Sequence, residues 1–507
     1  MTTQIKKVPK KVTARTKRSP GATLTGKLDR VSIRMYCLGT GDCFVIKFFS
    51  RKTTRFTMMI DCGSCRGTPA EFKPYLQELL EYVNHSVDLL VITHEHNDHV
   101  AGFAKDPAIF RELEIKEAWF AWTENPKDPN GHAQELLTKR TKMRAALQNA
   151  ITAFKDRHEN MKIGAGGDED NSEFNRIMLD NSTAFINGLD TLATINLDGE
   201  EDTGGKPLPG MRIIKEILAE KKVKIRYLNP GDIVSLPNAP GIKFNILGPP
   251  TNRDFIFKDG KGGKDVFQKN LTLNDSALSV NAFLSLNNTE RNDVPFISDY
   301  IASDEAPEAI YNASGNQWRK INDDWLSSAG SLALRLNSHI NNTSLAMAIE
   351  FEKTGKVLLF PGDAEYGSWE SWHQIRKWDK KGKDGKHLTE CLLNRTVFYK
   401  VGHHLSYNGT ALEKGILMME SEELAAMATL DRHRIAEKWK TTMPNKLLLQ
   451  ELIKRCQGKL FVMDEFQFTN RPSHQLDPHT LGKKVYEEGL AEDESTILYK
   501  QYTITNL

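Results

Sequence analysis

Three histidines and an aspartate fall within six positions of the stretch LLVITHEHNDHVAG, residues 89–102: His94, His96, Asp98 and His99. Imidazole and carboxylate are ligands for zinc and similar divalent ions, and a catalytic site of this kind keeps one coordination position open for water. Alternate placement lets His94 and His96 project to one side while Asp98 and His99 reach another, a spacing that suits two adjacent metals. The plain alternative is a set of solvated loop histidines. With 14 His among 507 residues, a chance match to this pattern arises about once in a thousand such chains, so the metal reading is preferred.

The elements that would position these groups are also legible. Leu89, Leu90, Val91 and Ile92 form a short uncharged run that reads as a strand buried on both faces, with the chemistry starting where it ends. Three more apolar runs stop at candidate site residues. FTMMIDCGS stops at Asp61, followed by Gly63; GKVLLFPGDAE stops at Asp363, after Gly362; VFYKVGHHLSYNGT stops at His403 and His404.

The HxHxDH pattern and the order of these strand ends resemble the metallo-β-lactamase-fold hydrolases. The chain lacks the Gly-His-Thr type turn of lactamase-like members. MYCLGTGDCFVIKF, NSHINNTSLAMAIEFEKTGKVLLFPGDAE and KVGHHLSYNGT are instead similar to the hydrolase domain of the DNA-uptake channel protein ComEC and its soluble relatives, over roughly residues 31–125 and 222–410. The resemblance implies an α/β fold, an αββα sandwich of two mixed sheets with helices outside and the site at one edge. It implies two divalent ions, zinc or manganese, with His94 and His96 on the first, Asp98, His99 and His403 on the second, and Asp363 bridging. His404 then serves as proton donor or phosphate contact, though the roles of His403 and His404 are interchangeable at this stage. Asp61 is expected to accept a hydrogen bond from a ligand histidine or the strand-end backbone, and Asp42, in the Gly-x-Gly-Asp turn, to stand beside the ligands. Two departures stand out. Leu405 occupies the place of a glycine, and the third ligand of the first metal is open among His339, Asn341, Asn342 and Ser344, with an exposed turn as the plain reading of His339.

Composition sets the wider frame. A net charge of +2 gives no global attraction to nucleic acid, and no run of about 18 apolar residues exists to span a membrane, so a soluble cytoplasmic protein with no membrane partner is expected. Six cysteines in so long a chain do not form a disulfide framework, and Cys62 and Cys65 read as reduced thiols. Residues 1–30 read as a mobile tail, with nine Lys or Arg against one acid. The domain is expected over residues 31–410, interrupted by insertions at about 126–221 and 251–330, with a C-terminal extension, 411–507, packing on the core. In the first insertion Met143, Leu147, Ile151 and Phe154 recur at helical spacing; the helix either flanks the mouth of the site or caps the fold at its periphery. Trp369, Trp372 and Trp378 read as core packing rather than base stacking.

The expected activity is metal-dependent hydrolysis by a metal-bridging hydroxide, most directly of a phosphodiester in DNA or a nucleotide-like molecule. Only forty residues separate Asp363 from His403, which disfavours the RNA-processing nucleases of this fold, since they carry a large domain there. An ester or lactone hydrolase and a non-catalytic scaffold are the alternatives. The insertions would offer surfaces for a protein partner, as in a toxic effector or a bacterial defence assembly.

Overall fold

Strands whose inward residues are all large and apolar fold by covering one another, and two sheets do so here. The computed structural model describes residues 28–164, 209–258, 333–334, 336–378, 385–435, 440, 443–464 and 478–507. Residues 1–27 of the basic tail, the acidic loops over 165–208, nearly all of the second insertion and the side chain of Phe154 lie outside the described residues.

The first sheet has eight strands: β1 (Arg30–Tyr36), β2 (Phe44–Ser50), β3 (Thr53–Ile60), β5 (Leu89–Val91), β7 (Glu117–Ala121), β8 (Lys224–Leu228), β16 (Tyr486–Leu490) and β17 (Ile497–Thr505), in the order β16-β17-β1-β2-β3-β5-β7-β8. The second has seven: β9 (Ile233–Val234), β10 (Ile242–Ile246), β11 (Met347–Phe351), β12 (Val357–Phe360), β13 (Thr396–Lys400), β14 (Ala425–Ala428) and β15 (Leu460–Val462), in the order β15-β14-β13-β12-β11-β10-β9. β4 (Ser86–Val87) and β6 (Glu114–Ile115) form a small parallel pair. Each large sheet is antiparallel at one side and parallel at the other: β3, β5, β7 and β8 run parallel in the first, β12 to β15 in the second.

Alternation along the strands decides which side chains face the partner sheet. In β2, Phe44, Ile46 and Phe48 enter the shared core while Val45 joins the outer layer. The sheets meet through aromatic pairs: Phe44 with Phe360, ring centroids 5.9 Å apart, and Trp119 with Phe244, 5.0 Å apart. Helices cover the outer faces: on the first sheet α1 (Pro69–Tyr82), α2 (Asn97–Lys105) and α3 (Pro107–Glu112). Next in the chain come α4 (His132–Gly164), α5 (Pro209–Glu220), α6 (Arg253–Ile256), α7 (Tyr366–Trp372), α8 (Leu388–Asn394) and α9 (Lys446–Cys456). Met211, Ile214, Ile217 and Leu218 of α5 cover the first sheet; α7, α8 and α9 cover the second. This is an αββα sandwich.

Trp369, Trp372 and Trp378 are buried in the layer outside the second sheet, which is the packing role. The six cysteines are free thiols. Three boundaries differ from expectation. β1 begins at Arg30, within the stretch assigned to the tail. α5 is the crossover between the parallel strands β7 and β8, not part of an insertion. The segment after 410 does not pack on a finished core: it supplies β14 and β15 to one sheet and β16 and β17 to the other. β17 pairs with β1 from Arg30↔Thr505 to Tyr36↔Tyr499, because its alternating pattern presents an apolar face to the sandwich. Among the described residues no helix is long and apolar enough to cross a membrane.

Candidate metal centre

Parallel strands end together, and the loops leaving those ends build the site. Asp61 follows β3 in a left-handed conformation, φ 53°, while its N–H still donates to Val91 O at 2.9 Å. That turn aims its carboxylate across at the segment after β5. The segment carries Thr93, His94 and His96 and then enters α2 with Asp98 and His99. In the second sheet, Asp363 follows β12 through Gly362 (φ 59°), and the paired histidines follow β13. Backbone contacts lock the pieces: Asp42 N donates to Asp98 O at 2.9 Å, Cys62 N to His99 O at 2.8 Å and Gly63 N to Asp42 O at 3.0 Å. The approach is so close that a Cβ on Gly63 would stand 2.4 Å from both Asp98 C and His99 N.

Two groups of donor side chains result. Asp42, His99, Asp363 and His404 form one, and His94, His96 and Asp98 the other, each with its donor atoms within 4.8 Å of one another. The groups touch, since His404 Nε2 is 3.1 Å from Asp363 Oδ2 and 3.2 Å from Asp98 Oδ2. His94 Nε2 and His96 Nδ1 are 3.1 Å apart. All seven side chains are buried.

Surrounding groups fix which nitrogen faces inward. His99 Nδ1 donates to Asp61 Oδ2 at 2.8 Å, leaving Nε2 toward Asp363 Oδ2 at 3.1 Å. Asp61 also accepts from Thr93 N at 2.8 Å and Thr93 Oγ1 at 2.5 Å. His404 Nδ1 donates to Thr429 Oγ1 at 2.7 Å, and Thr429 Oγ1 donates onward to Asp42 Oδ1 at 2.7 Å. Asp42 Oδ2 and Asp363 Oδ1 both accept from Lys400 Nζ, at 2.6 and 2.9 Å. Both Asp42 oxygens are therefore engaged. Asp98 Oδ1 is buried without a hydrogen bond, and Asp363 Oδ2 stands 3.1 Å from both His99 Nε2 and His404 Nε2. Buried polar atoms left without a hydrogen bond are costly unless something binds them, and a carboxylate and imidazole set of this kind fits a divalent ion.

Electrostatics point the same way. Burial pushes His94 well below its ordinary value, and His96 down to about 4, so both imidazoles are neutral at neutral pH. Burial also opposes charge on His99 and His404, but Asp363 above all raises His99 well above its usual range and His404 to about 9. Against the same burial, the bond from His404 and the charges of His99 and His404 bring Asp98 to about 2. A divalent ion bound at His99 and His404 would compete with protons for these nitrogens.

The other candidates are placed as follows. His403 is outside both groups: its Nδ1 is 3.2 Å from Asn408 Oδ1 and its Nε2 3.3 Å from Asn341 Nδ2, with Glu365 Oε1 at 3.5 Å. Of the two histidines, His404 and not His403 is in a donor group. The cause is backbone: His403, His404 and Leu405 have φ of 45°, 49° and 64°, and this left-handed turn swings the second imidazole inward. Leu405, where a glycine was expected, takes the strained conformation and is fully buried. His339 is buried against the Phe257 ring, centroids 4.6 Å apart, beside the site rather than in either group. Asn341 donates to Glu365 Oε1 at 2.8 Å; Asn342 Oδ1 accepts from Glu365 N and Ser368 N at the start of α7. Ser344 Oγ reaches both His94 Nδ1, at 3.2 Å, and Asp363 N, at 3.1 Å.

Sequence reasoning missed Lys400, Thr429 and Glu95. The one available signal for Lys400 was a lysine closing the otherwise apolar strand TVFYK. Glu95, between the two histidines, is buried and ion-paired with Arg140 and Arg144 of α4, which places that helix against the site.

Residues 38–169 match the family model of the metallo-beta-lactamase superfamily. The match takes in Asp42, Asp61 and the histidine segment and stops short of Asp363 and the paired histidines. Members of that superfamily are generally metal-dependent hydrolases. No curated protein and no solved structure matches the chain.

Proposed function

We propose that the chain is a metal-dependent phosphodiesterase acting on a nucleic acid or nucleotide-like phosphodiester. The observation that carries this reading is the meeting of two buried donor groups, Asp42, His99, Asp363 and His404 with His94, His96 and Asp98, where His404 Nε2 stands 3.1 Å from Asp363 Oδ2 and 3.2 Å from Asp98 Oδ2. His94 Nε2 and His96 Nδ1 would hold one ion and His99 Nε2 and His404 Nε2 the other, with Asp98 and Asp363 between them. Zinc and manganese both suit this donor set. When bound, such a pair supplies water ionised near pH 7 and positive charge for the phosphoryl oxygens.

Four buried carboxylates, Asp42, Asp61, Asp98 and Asp363, face one ammonium, Lys400, a surplus of negative charge that two divalent ions would offset. His403 is the candidate proton donor: it is partly exposed, its Nδ1 is 3.2 Å from Asn408 Oδ1 and its Nε2 accepts from Asn341 Nδ2 at 3.3 Å, so Asn341 would have to release that nitrogen before it carries a proton to a leaving oxygen. Motif resemblance to the ComEC hydrolase domain supports the phosphodiester substrate class.

Elemental analysis of the purified chain, with zinc- and manganese-supplemented assays on single- and double-stranded DNA, RNA and bis-p-nitrophenyl phosphate, tests the reading. His404→Ala is expected to lose metal and activity together, and His403→Ala to keep metal while losing about 100-fold or more in kcat. A metal-loaded chain inert on every phosphodiester but active on carboxylic esters would replace this reading, and a chain that takes up no metal would remove it.

A further inference from the structure

Glu95 lies between two candidate ligands yet points away from them. Its residue is 1% exposed, and its Oε1 is 2.7 Å from Arg140 Nη1 and 2.9 Å from Arg144 Nη2. Both arginines are themselves buried and stand one turn apart on the same face of α4. Arg140 is anchored a second time by Glu124 Oε1, at 3.1 Å, and Lys215 of α5 holds the other oxygen of Glu124 at 2.7 Å. The apolar side chains Leu136, Met143 and Leu147 bury the face of α4 that carries the arginines.

A carboxylate so deeply buried cannot remain without its partners. Without the arginines the buried carboxylate has to turn toward water. Its neighbours on each side are His94 and His96, whose donor nitrogens are 3.1 Å apart, so any movement of Glu95 displaces both. We infer that Arg140 and Arg144 are positioning residues for the His94–His96 pair, acting through Glu95, so that α4 sets how tightly the site holds a divalent cation. This rests on the metal-site reading above. The helix that looked like an insertion is on this account part of the metal centre.

The test is titration of the metal-stripped full chain with zinc against a chromophoric chelator, with thermal melting on the same samples. Arg140→Ala with Arg144→Ala is expected to weaken zinc binding at one site by about 10–100-fold, the range for groups that support ligands. The lysine pair, R140K with R144K, keeps the charge beside Glu95 and recovers most of the affinity. Arg34→Met is the control for a purely structural loss, because Arg34 is equally buried and paired with Glu78 but touches no site residue. It lowers the melting temperature and leaves zinc affinity unchanged. Unchanged zinc affinity in the alanine pair, or an equal loss in Arg34→Met, overturns the inference. Should the alanine pair fail to fold, Arg144→Met alone leaves Arg140 on Glu95 and is expected to weaken zinc binding several-fold; wild-type affinity in that variant overturns the inference too. Wild-type protein that binds no zinc or manganese removes the underlying metal-site reading instead.

Discussion

Replacing Asp61 by asparagine changes one atom, yet it should disable a ligand that Asp61 never shares with a metal. Asp61 is fully buried and accepts three hydrogen bonds, from Thr93 N, Thr93 Oγ1 and His99 Nδ1. An amide can accept on one side only. If its oxygen keeps Thr93 N, its NH2 group confronts His99 Nδ1, and relief comes when the imidazole shifts its proton to Nε2. That nitrogen is the one facing Asp363 Oδ2 at 3.1 Å, where a metal would need its lone pair. A hydrogen bond to a charged group contributes about 1.5–3 kcal/mol. Loss of a partner that orients a ligand histidine costs about 10–100-fold in metal affinity, the same 1.4–2.8 kcal/mol expressed as binding. Calorimetric titration with zinc would measure the affinity, and 1H–15N spectra of the ring nitrogens would report the His99 tautomer. Wild-type affinity in Asp61→Asn, with the proton still on Nδ1, would refute the reasoning.

Gly63→Ala places a methyl group against backbone atoms of Asp98 and His99 that cannot rotate away, so the start of α2 must shift. A stability loss of about 1–3 kcal/mol by urea unfolding, together with weaker metal retention, is expected. Chelation should lower the melting temperature, and melting should rise with added metal; free metal at about 100 times Kd corresponds to about 2.7 kcal/mol, and a melting temperature indifferent to metal would contradict the site. Lys215 and Arg140 hold Glu124 at about 2 despite its burial, against an ordinary 4.5. The stability from this ion pairing is complete above about pH 4.5 and is lost as the pH falls toward 2, about 3 kcal/mol in all. Unfolding followed across that window should show a shallower acid loss in Glu124→Gln than in wild type.

The strand ends were legible because each combines an apolar run with a polar residue at its last turn. Asp61, the His94–His99 segment, Asp363 and the paired histidines are all found at such ends. The order of the pair was not legible, since nothing in the letters GHHL signals three consecutive left-handed residues. Lys400 and Thr429 escaped notice because a single polar residue at a strand end reads as solvated until its buried partners are known. The ties from Glu95 to Arg140 and Arg144 span some fifty residues, beyond the reach of local spacing. The alternation in β17 marks a strand, but its partner β1, at the other end of the chain, could not be inferred from alternation alone.

That pairing bears on how the protein is made. β1 and β2 can meet soon after they leave the ribosome, but the far side of β1 must wait for residues 497–505. Until then the first sheet presents an unpaired edge with an apolar face, the arrangement most prone to join the wrong chain. The cost of closing so long a loop makes this pairing a slow, late event. Cells raised at lower temperature, or with more chaperone, should therefore return more soluble protein, and a chain cut just before β17 should aggregate even though every candidate ligand is still present.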